Sequence, residues 1–448
     1  MELRDLIVTP IILFLVYVVA FILRPWVTDD TIRPYYIPAL TLKIFGALAL
    51  GLLYQFYYGG GDTYNFHTHG SRHIWEAFTD DPLLGLKLLF GDKSDEIGIY
   101  KYSSHIPFFR DSSSFMIIRI AAILDLFTFS AYSATAVLFA VFGFIGLWAL
   151  FKSFYELYPW LHKAIAIAVL FIPSVIFWGS GLLKDTVTLA CLGLTTFYIK
   201  RLFVDHKIRT YYVVLLLFNM YLIFSIKKYI LLCYAPSVLL WIFMTNLSAI
   251  KSTLIKVLVF PFVIVVIGVF GYFAVVQIGK DDPRYAMNQI ANTAMITAYD
   301  IAYQTGRDAG STYSLGELDG TLGSMVRLAP QAINVSLFRP YLWEVRNPLM
   351  LMSAFESLAF FMLTIYIAFK KGKTLVASLA NPHVMFCLVF SITFAFATGI
   401  SSYNFGTLSR YKIPLLPFYA MALILIYYSE NQNYSNSEST VDELEITE

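Results

Sequence analysis

Charge is scarce in this sequence: Asp, Glu, Lys and Arg make up 14% of 448 residues, against 58% that are hydrophobic. So little charge does not cover the surface of water-soluble domains. A mean hydropathy of +0.66, spread over many separate apolar runs, points to a polytopic α-helical membrane protein. Cysteine is nearly absent as well. Cys191, Cys233 and Cys387 all fall inside apolar runs, where a thiol behaves as a small hydrophobe, so neither a disulfide nor a metal thiolate is expected. There is no Lys/Arg block, and 32 basic residues face 30 acidic ones, which removes nucleic acid as an expected partner. The first apolar run lacks a basic leader and a small-residue cleavage site, so it reads as a retained helix rather than a signal peptide. A Walker-type phosphate loop and a nucleophile elbow are also missing.

What is present is a series of about eleven runs long enough to span ~30 Å of hydrocarbon. They lie near Leu6 to Leu23, Ile37 to Tyr58, Ala131 to Phe151, Ala164 to Trp178, Thr186 to Ile199 and Tyr211 to Ile226. The series continues near Tyr229 to Met244, Leu254 to Val276, Leu349 to Phe369, Val384 to Ile400 and Ile413 to Tyr428. Short loops rich in Lys and Arg set the orientation. Lys152 with Lys163, the group Lys200, Arg201, Lys207 and Arg209, and the group Lys370, Lys371 and Lys373 share one side, which reads as cytoplasmic. The acidic tail, residues 431–448, then lies inside as solvated disorder, and the N-terminus lies outside. Two long polar segments, residues 59–114 and 277–347, share the outer side of one membrane domain spanning residues 1–430. The second contains amphipathic stretches around Tyr285 to Tyr303 and Leu322 to Phe338. Phe115 to Phe129 is apolar but short and carries Arg119 and Asp125, and it reads as an interfacial helix.

Four motifs carry chemistry. In Gly59-Gly60-Gly61-Asp62-Thr63-Tyr64-Asn65-Phe66-His67, three glycines let the chain turn closely as it leaves the membrane and deliver a carboxylate to the water–lipid boundary. Asp62 there can accept a proton from a hydroxyl, help hold a cation, or cap the following helix. Tyr64 and His67 follow as candidate substrate contacts. His67, His69 and His73 lack a cysteine partner, so no metal site is assigned, although a divalent cation stays open. Pro173 to Asp185 reads as a tight outer hairpin with Lys184 and Asp185 at its apex, either paired with one another or serving an anion. Asn404 to Pro417 brings in Arg410, and Ser336 to Glu344 brings Arg339 among aromatic residues. Cations on the side that usually has few suit a lipid-linked phosphate, because Arg and Lys stabilise a departing phosphate by charge-assisted hydrogen bonds.

In order and sidedness these motifs resemble the GT-C superfamily of integral-membrane glycosyltransferases, in the manner of family 39, over most of Ile37 to Tyr428. The resemblance implies an all-α polytopic fold and a polyprenyl-phosphate sugar donor. By position it implies a catalytic acidic residue at Asp62, an interfacial arginine at Arg119, a Pro-to-Asp hairpin at Pro173 to Asp185, and a late-helix entry at Arg410, Tyr411, Pro414 and Pro417. It departs from the family where an acidic pair is usual, since Thr63 and Tyr64 follow Asp62.

The expectation is therefore a multi-pass enzyme of the bacterial cytoplasmic membrane. It moves a sugar to a glycan, lipid or protein acceptor at the outer face, with Asp62 as the base and Arg410, Lys184, Asp185, Arg339, Arg119, Tyr64 and His67 holding substrate and phosphate. The rivals are a polysaccharide polymerase or ligase that joins lipid-linked oligosaccharides, and a transporter of lipid-linked glycans. The latter calls for ionisable groups along mid-membrane helix faces and for discontinuous helices.

Overall fold

The computed structural model describes residues 2–91, 97–248, 288–304, 311–372 and 374–429, with single positions at 276, 284 and 286. Its regular elements are helices, and the one β-type pairing among the described residues is the isolated bridge between Thr312 and Asn404. Two compact units divide the chain, Met1–Leu231 and Leu232–Glu448.

The first unit opens with α1 (Leu3–Val27) and α2 (Arg33–Phe56), both long and apolar enough to cross a membrane. A layer of short helices follows: α3 (Asp62–Phe66), a π-helical turn His67–Ser71, α4 (Arg72–Asp80), α5 (Pro82–Phe90) and α6 (Ile97–Ser103). Then come α7 (Ser112–Thr128), α8 (Tyr132–Tyr155), α9 (His162–Leu170), α10 (Pro173–Trp178) and α11 (Lys184–Ile199), the last prolonged by a π-type turn to Val204. The helix α12 (Thr210–Ser248) leaves helical geometry at Lys227, where φ is −144° and ψ is 80°.

Small residues let α8 and α11 approach closely, the usual means of helix packing where lipid supplies no hydrophobic drive. A Cβ on Gly146 would lie 2.2 Å from Ala190 Cα, and one on Gly193 would lie 2.1 Å from the Gly146 carbonyl oxygen. At the far end Glu156 pairs with Lys200 at 2.9 Å and with Arg201 at 2.6 Å. Gly146 with Ala190 and Glu156 with Lys200 are each 44 positions apart, so α8 and α11 run parallel. The same register sets Lys184 level with Ala140, about 12 Å below the start of α8 at 1.5 Å per residue.

The ends of the unit sort cleanly. Asp5, at the start of α1, accepts the Ser133 N–H at 3.0 Å and so caps α8. Arg4 donates to the Phe129 carbonyl at 3.4 Å, and Arg72, just past the π-turn, pairs with Glu2 at 2.6 Å. Asp62, Glu2 and the α7–α8 turn therefore share one end. Tyr155 donating to Asp29 at 3.0 Å, together with the Glu156 pairs, marks the other.

The second unit contains α13 (Ile290–Gln304), α14 (Leu322–Arg327), α15 (Ala329–Phe338), α16 (Pro348–Lys371), α17 (Thr374–Ser378), α18 (Pro382–Ser402), α19 (Phe405–Tyr411) and α20 (Leu416–Tyr427). A strap at residues 311–313 is stitched to the end of α18. Phe405 N–H donates to the Ser311 carbonyl at 2.8 Å, Tyr313 N–H to the Tyr403 carbonyl at 3.1 Å, and Tyr313 OH to the Gly399 carbonyl at 3.1 Å. Trp241 stacks on Phe386 with centroids 4.5 Å apart and donates to His383 Nδ1 at 2.9 Å, which ties the end of α12 to α18.

Seven described helices are long and apolar enough to span a membrane, or eight if α19 and α20, bent by 67°, count as one broken span. The chain is thus a multi-pass membrane protein by helix length and composition. The difference from eleven has physical causes. The run Ala164 to Trp178 is split between α9 and α10. The runs Tyr211 to Ile226 and Tyr229 to Met244 fall on one helix interrupted at Lys227. The run Leu254 to Val276, apart from Val276 itself, lies outside the described residues, as does the tail from Glu430. Phe115 to Phe129 falls almost wholly on the 17-residue α7, and the amphipathic stretches of the second segment fall on α13, α14 and α15.

Candidate functional site

The Gly59–Gly61 turn adopts positive φ throughout (68°, 138° and 123°), conformations that cost a side-chain-bearing residue but not glycine. The turn ends in α3 with Asp62 in its first turn, partly exposed. Directly after it the backbone widens into the π-turn His67–Ser71, a geometry that occurs mostly as isolated turns and frequently at functional sites.

The π-turn rotates His67 and Ser71 inward onto Asp125 of α7. Ser71 donates to Asp125 Oδ2 at 2.6 Å, Thr135 donates to Oδ1 at 2.7 Å, and His67 Nε2 lies 3.3 Å from Oδ1. The His67 and Asp125 side chains are both fully buried. His67 therefore contacts protein rather than an open pocket, contrary to the substrate contact expected of it. Tyr132 continues the cluster: its ring meets His67 edge-on at 5.4 Å and stacks on Tyr64 at 4.4 Å, and its hydroxyl lies 2.7 Å from Thr63 Oγ1. Tyr64 donates to Gln55 at 3.2 Å. Burial, with the Asp5 carboxylate adding to it, pushes the Tyr64 phenol up to about 12, so it is a neutral donor at ordinary pH.

Lys184 enters this site from α11. Its ammonium donates to Ser113 Oγ at 2.8 Å and lies 3.4 Å from Asp111 Oδ2, and it is within electrostatic reach of Asp62. Asp111 caps α7 through the Ser113 and Ser114 N–H groups, each at 3.3 Å. Burial opposes its charge, but hydrogen bonds from Ser114 and Ser113 and the Lys184 ammonium outweigh that and hold the carboxyl down at about 2. Asp111 is thus an ionised partner of Lys184 at neutral pH. The neighbouring Asp185 is buried and accepts from Lys227 at 2.5 Å, at the break in α12. Lys184 and Asp185 do not pair with one another; each has a partner on another helix.

The hairpin carrying Lys184 packs against the middle of α2 rather than against its end. Lys43, in the middle of α2 and almost fully buried, donates to the Val175 carbonyl at 3.2 Å and to the Gly179 carbonyl. A Cβ on Gly46 would lie 2.3 Å from the Ile176 carbonyl oxygen, so α10 rests directly on α2. The α9–α10 chain thus ends level with the middle of α2, and Gly179 to Leu183 links it to α11. A lysine near the negative end of a helix, satisfying its last carbonyls, is favourable there for its charge and its donors alike.

Arg119 lies on α7, the helix that covers Phe115 to Thr128 and precedes α8. It donates to the Gly91 carbonyl at 2.8 Å and lies over the Phe115 ring at 4.8 Å, which fastens the end of α5 to α7.

Arg339 and Arg410 belong to the second unit. Arg339 pairs with Glu344, which also accepts the Tyr341 N–H at 2.8 Å, and its guanidinium lies 5.2 to 5.8 Å from the Phe405, Tyr341 and Tyr313 rings. Burial works against the Glu344 charge, yet Arg339 and that N–H keep its carboxyl below the usual range. Arg410 is partly exposed on α19, with its own guanidinium 5.3 Å from the Tyr411 ring. Between α19 and α20 the buried Lys412 donates to Ser357 Oγ at 3.0 Å and to the Arg339 carbonyl at 3.4 Å, with Glu356 within electrostatic reach.

Among the described residues no group of three or more His, Cys, Asp or Glu side chains is placed to hold a metal ion. The residues that sequence reasoning passed over are Asp111, which reads as an ordinary helix cap, and Lys43 and Lys412, which read as parts of apolar or motif runs. Comparison of the chain with protein-family models, curated proteins and solved structures finds no match.

Proposed function

We propose that this protein is a glycosyltransferase that moves a sugar from a polyprenyl-phosphate donor to a glycan, lipid or protein acceptor at the outer face of a bacterial cytoplasmic membrane, in cell-surface glycan assembly. The observation that carries the reading is Lys184, 3.4 Å from the Asp111 carboxylate and within electrostatic reach of Asp62. Asp62, partly exposed, takes the proton of the acceptor hydroxyl as that oxygen bonds to the sugar carbon. A positioned base contributes ~10² to 10⁴ in rate to such a step. The bond from that carbon to the phosphate oxygen breaks in the same event, and its electron pair leaves with the phosphate. Lys184 stabilises the charge that develops there. Arg410 and Arg339 are a second cation group on their own unit, suited to phosphate. A divalent cation is not required by this scheme.

Membrane vesicles supplied with polyprenyl-phosphate sugars and acceptor test it. Asp62→Asn is expected to abolish transfer in a protein that still elutes as a folded species, and full transfer by that variant overturns the mechanism. A ladder of repeat units among the products would assign the polymerase reading in its place. The discontinuous helices α9–α10, α12 and α19–α20, with buried Lys43 at the C-terminal end of α10 and buried Lys412 between α19 and α20, favour a second reading as a transporter of lipid-linked glycan. Passage of substrate across proteoliposomes without covalent change would decide for it.

A further inference from the structure

The helix α5, Pro-Leu-Leu-Gly-Leu-Lys-Leu-Leu-Phe, is apolar on every face, with Lys87 its single charge. Gly85, Leu88 and Leu89 are buried, whereas Leu83, Leu86 and Phe90 stand 68%, 44% and 72% exposed. Both ends are fixed by protein. Asp81 accepts the Leu83 N–H at 2.9 Å, and Arg119 holds the Gly91 carbonyl. The helix is therefore presented with its apolar stripe outward.

That stripe continues beyond α5. Arg119, Ile123 and Leu126 lie on one face of α7 at helical spacing, and Ile123, Leu126 and the adjacent Phe127 are exposed. The next exposed ring is Phe129, whose carbonyl accepts from Arg4 at the head of α1. From there Leu3, Leu6, Ile7 and Phe14 run exposed down α1, a candidate span whose most apolar stretch is only 11% buried. One belt thus joins a helix too short to span to the outer face of a helix that spans.

We propose that α5 is a lipid-contacting helix, with its Leu83–Leu86–Phe90 face immersed among acyl chains of the leaflet at the Asp62 end of the unit. Lys87, exposed beside that stripe, extends toward the headgroups while its methylenes stay in the apolar layer. The occupant is a phospholipid surface because the belt is continuous with the exposed apolar face of a helix long and apolar enough to span a membrane. For the transfer reading, on which this one sentence rests, a substrate carried on a lipid tail then meets the protein in the plane of that leaflet.

Spin labels test the placement. Leu83→Cys, Leu86→Cys and Phe90→Cys are each made in a chain whose Cys191, Cys233 and Cys387 are replaced by alanine. The labelled full-length protein is reconstituted in phosphatidylcholine–phosphatidylglycerol vesicles. Collision with oxygen and with a water-soluble nickel chelate is compared with Phe14→Cys, on the candidate span, and Asp30→Cys, in a polar turn. The expected result is oxygen-rich, nickel-poor exposure at all three positions, within about twofold of Phe14→Cys. Nickel exposure like that of Asp30→Cys overturns the proposal, and so does spin–spin broadening between labels, which would put a second copy of the chain on this face. Because the readout needs no turnover, loss of the transfer reading leaves it intact, and a water-facing α5 leaves the test of Asp62 untouched.

Discussion

The two units solve one problem in two chemically different ways. Each interrupts an apolar helical run, and each sets a buried lysine at the interruption. In the first unit Lys43 is held by two main-chain carbonyls, those of Val175 and Gly179. In the second, Lys412 is held by a hydroxyl and a carbonyl, with the Glu356 carboxylate within reach. A lysine on carbonyls satisfies a helix end and leaves its charge to be balanced by the helix dipole. A lysine with a carboxylate within electrostatic reach has a charge partner as well as hydrogen-bond acceptors. The first arrangement is a structural clamp. The second adds an opposite charge.

The largest expected effect comes from the buried ion pair that neighbours the first break. Lys227→Met leaves the Asp185 carboxylate buried without its cation and is expected to destabilise the protein by about 3–5 kcal/mol. Thermal unfolding in detergent reads this, and adding Asp185→Leu should recover most of the loss. If Lys227→Met unfolds like the parent, the pair is not a structural element.

Next come the two lysines themselves. Lys43→Met strands two carbonyls at about 1–3 kcal/mol each, and no carboxylate substitution should rescue it. Lys412→Met should be rescued by Glu356→Gln, because the cost there lies in the orphaned charge. Equal rescue in both units, or in neither, would erase the contrast between the two lysines.

Much of this was legible in the sequence, and the failures share a cause. The helices α1, α2, α8, α16 and α18 follow apolar runs closely, because hydropathy averages well over twenty residues. The same averaging hid the break before Pro173 and passed over Lys43, a single charge in an apolar run whose meaning depends on Gly179, 136 positions away. Asp62 and its three glycines were legible because positive φ and an exposed carboxylate are local properties. The burial of His67 was not, since it follows from a π-turn and from Asp125 on another helix. Asp111 was invisible as a site residue because a helix cap and a lysine partner look alike in Asp-Ser-Ser-Ser.

The smallest effect concerns pH. The Asp111 carboxyl is held at about 2 in the folded protein, below its value in the unfolded chain. Its contribution to stability is therefore complete above about pH 4, and it is lost as pH falls through about 2. Asp111 is too exposed for that contribution to be large. Asp111→Asn should lower stability slightly at every pH above about 4, by the same small amount that it removes from the acid limb, and should converge with the parent as pH falls to about 2.

Lys184 lies about 12 Å below the start of α8 and is reached from the Asp62 end of the first unit. Lys184→Cys, made in the chain lacking Cys191, Cys233 and Cys387, measures this directly with a small charged thiol reagent applied to either side of sealed vesicles. The account predicts modification from the side that also labels His69→Cys, and slower than at that exposed position. An unreactive thiol, or one modified only from the side of Lys200, would contradict it.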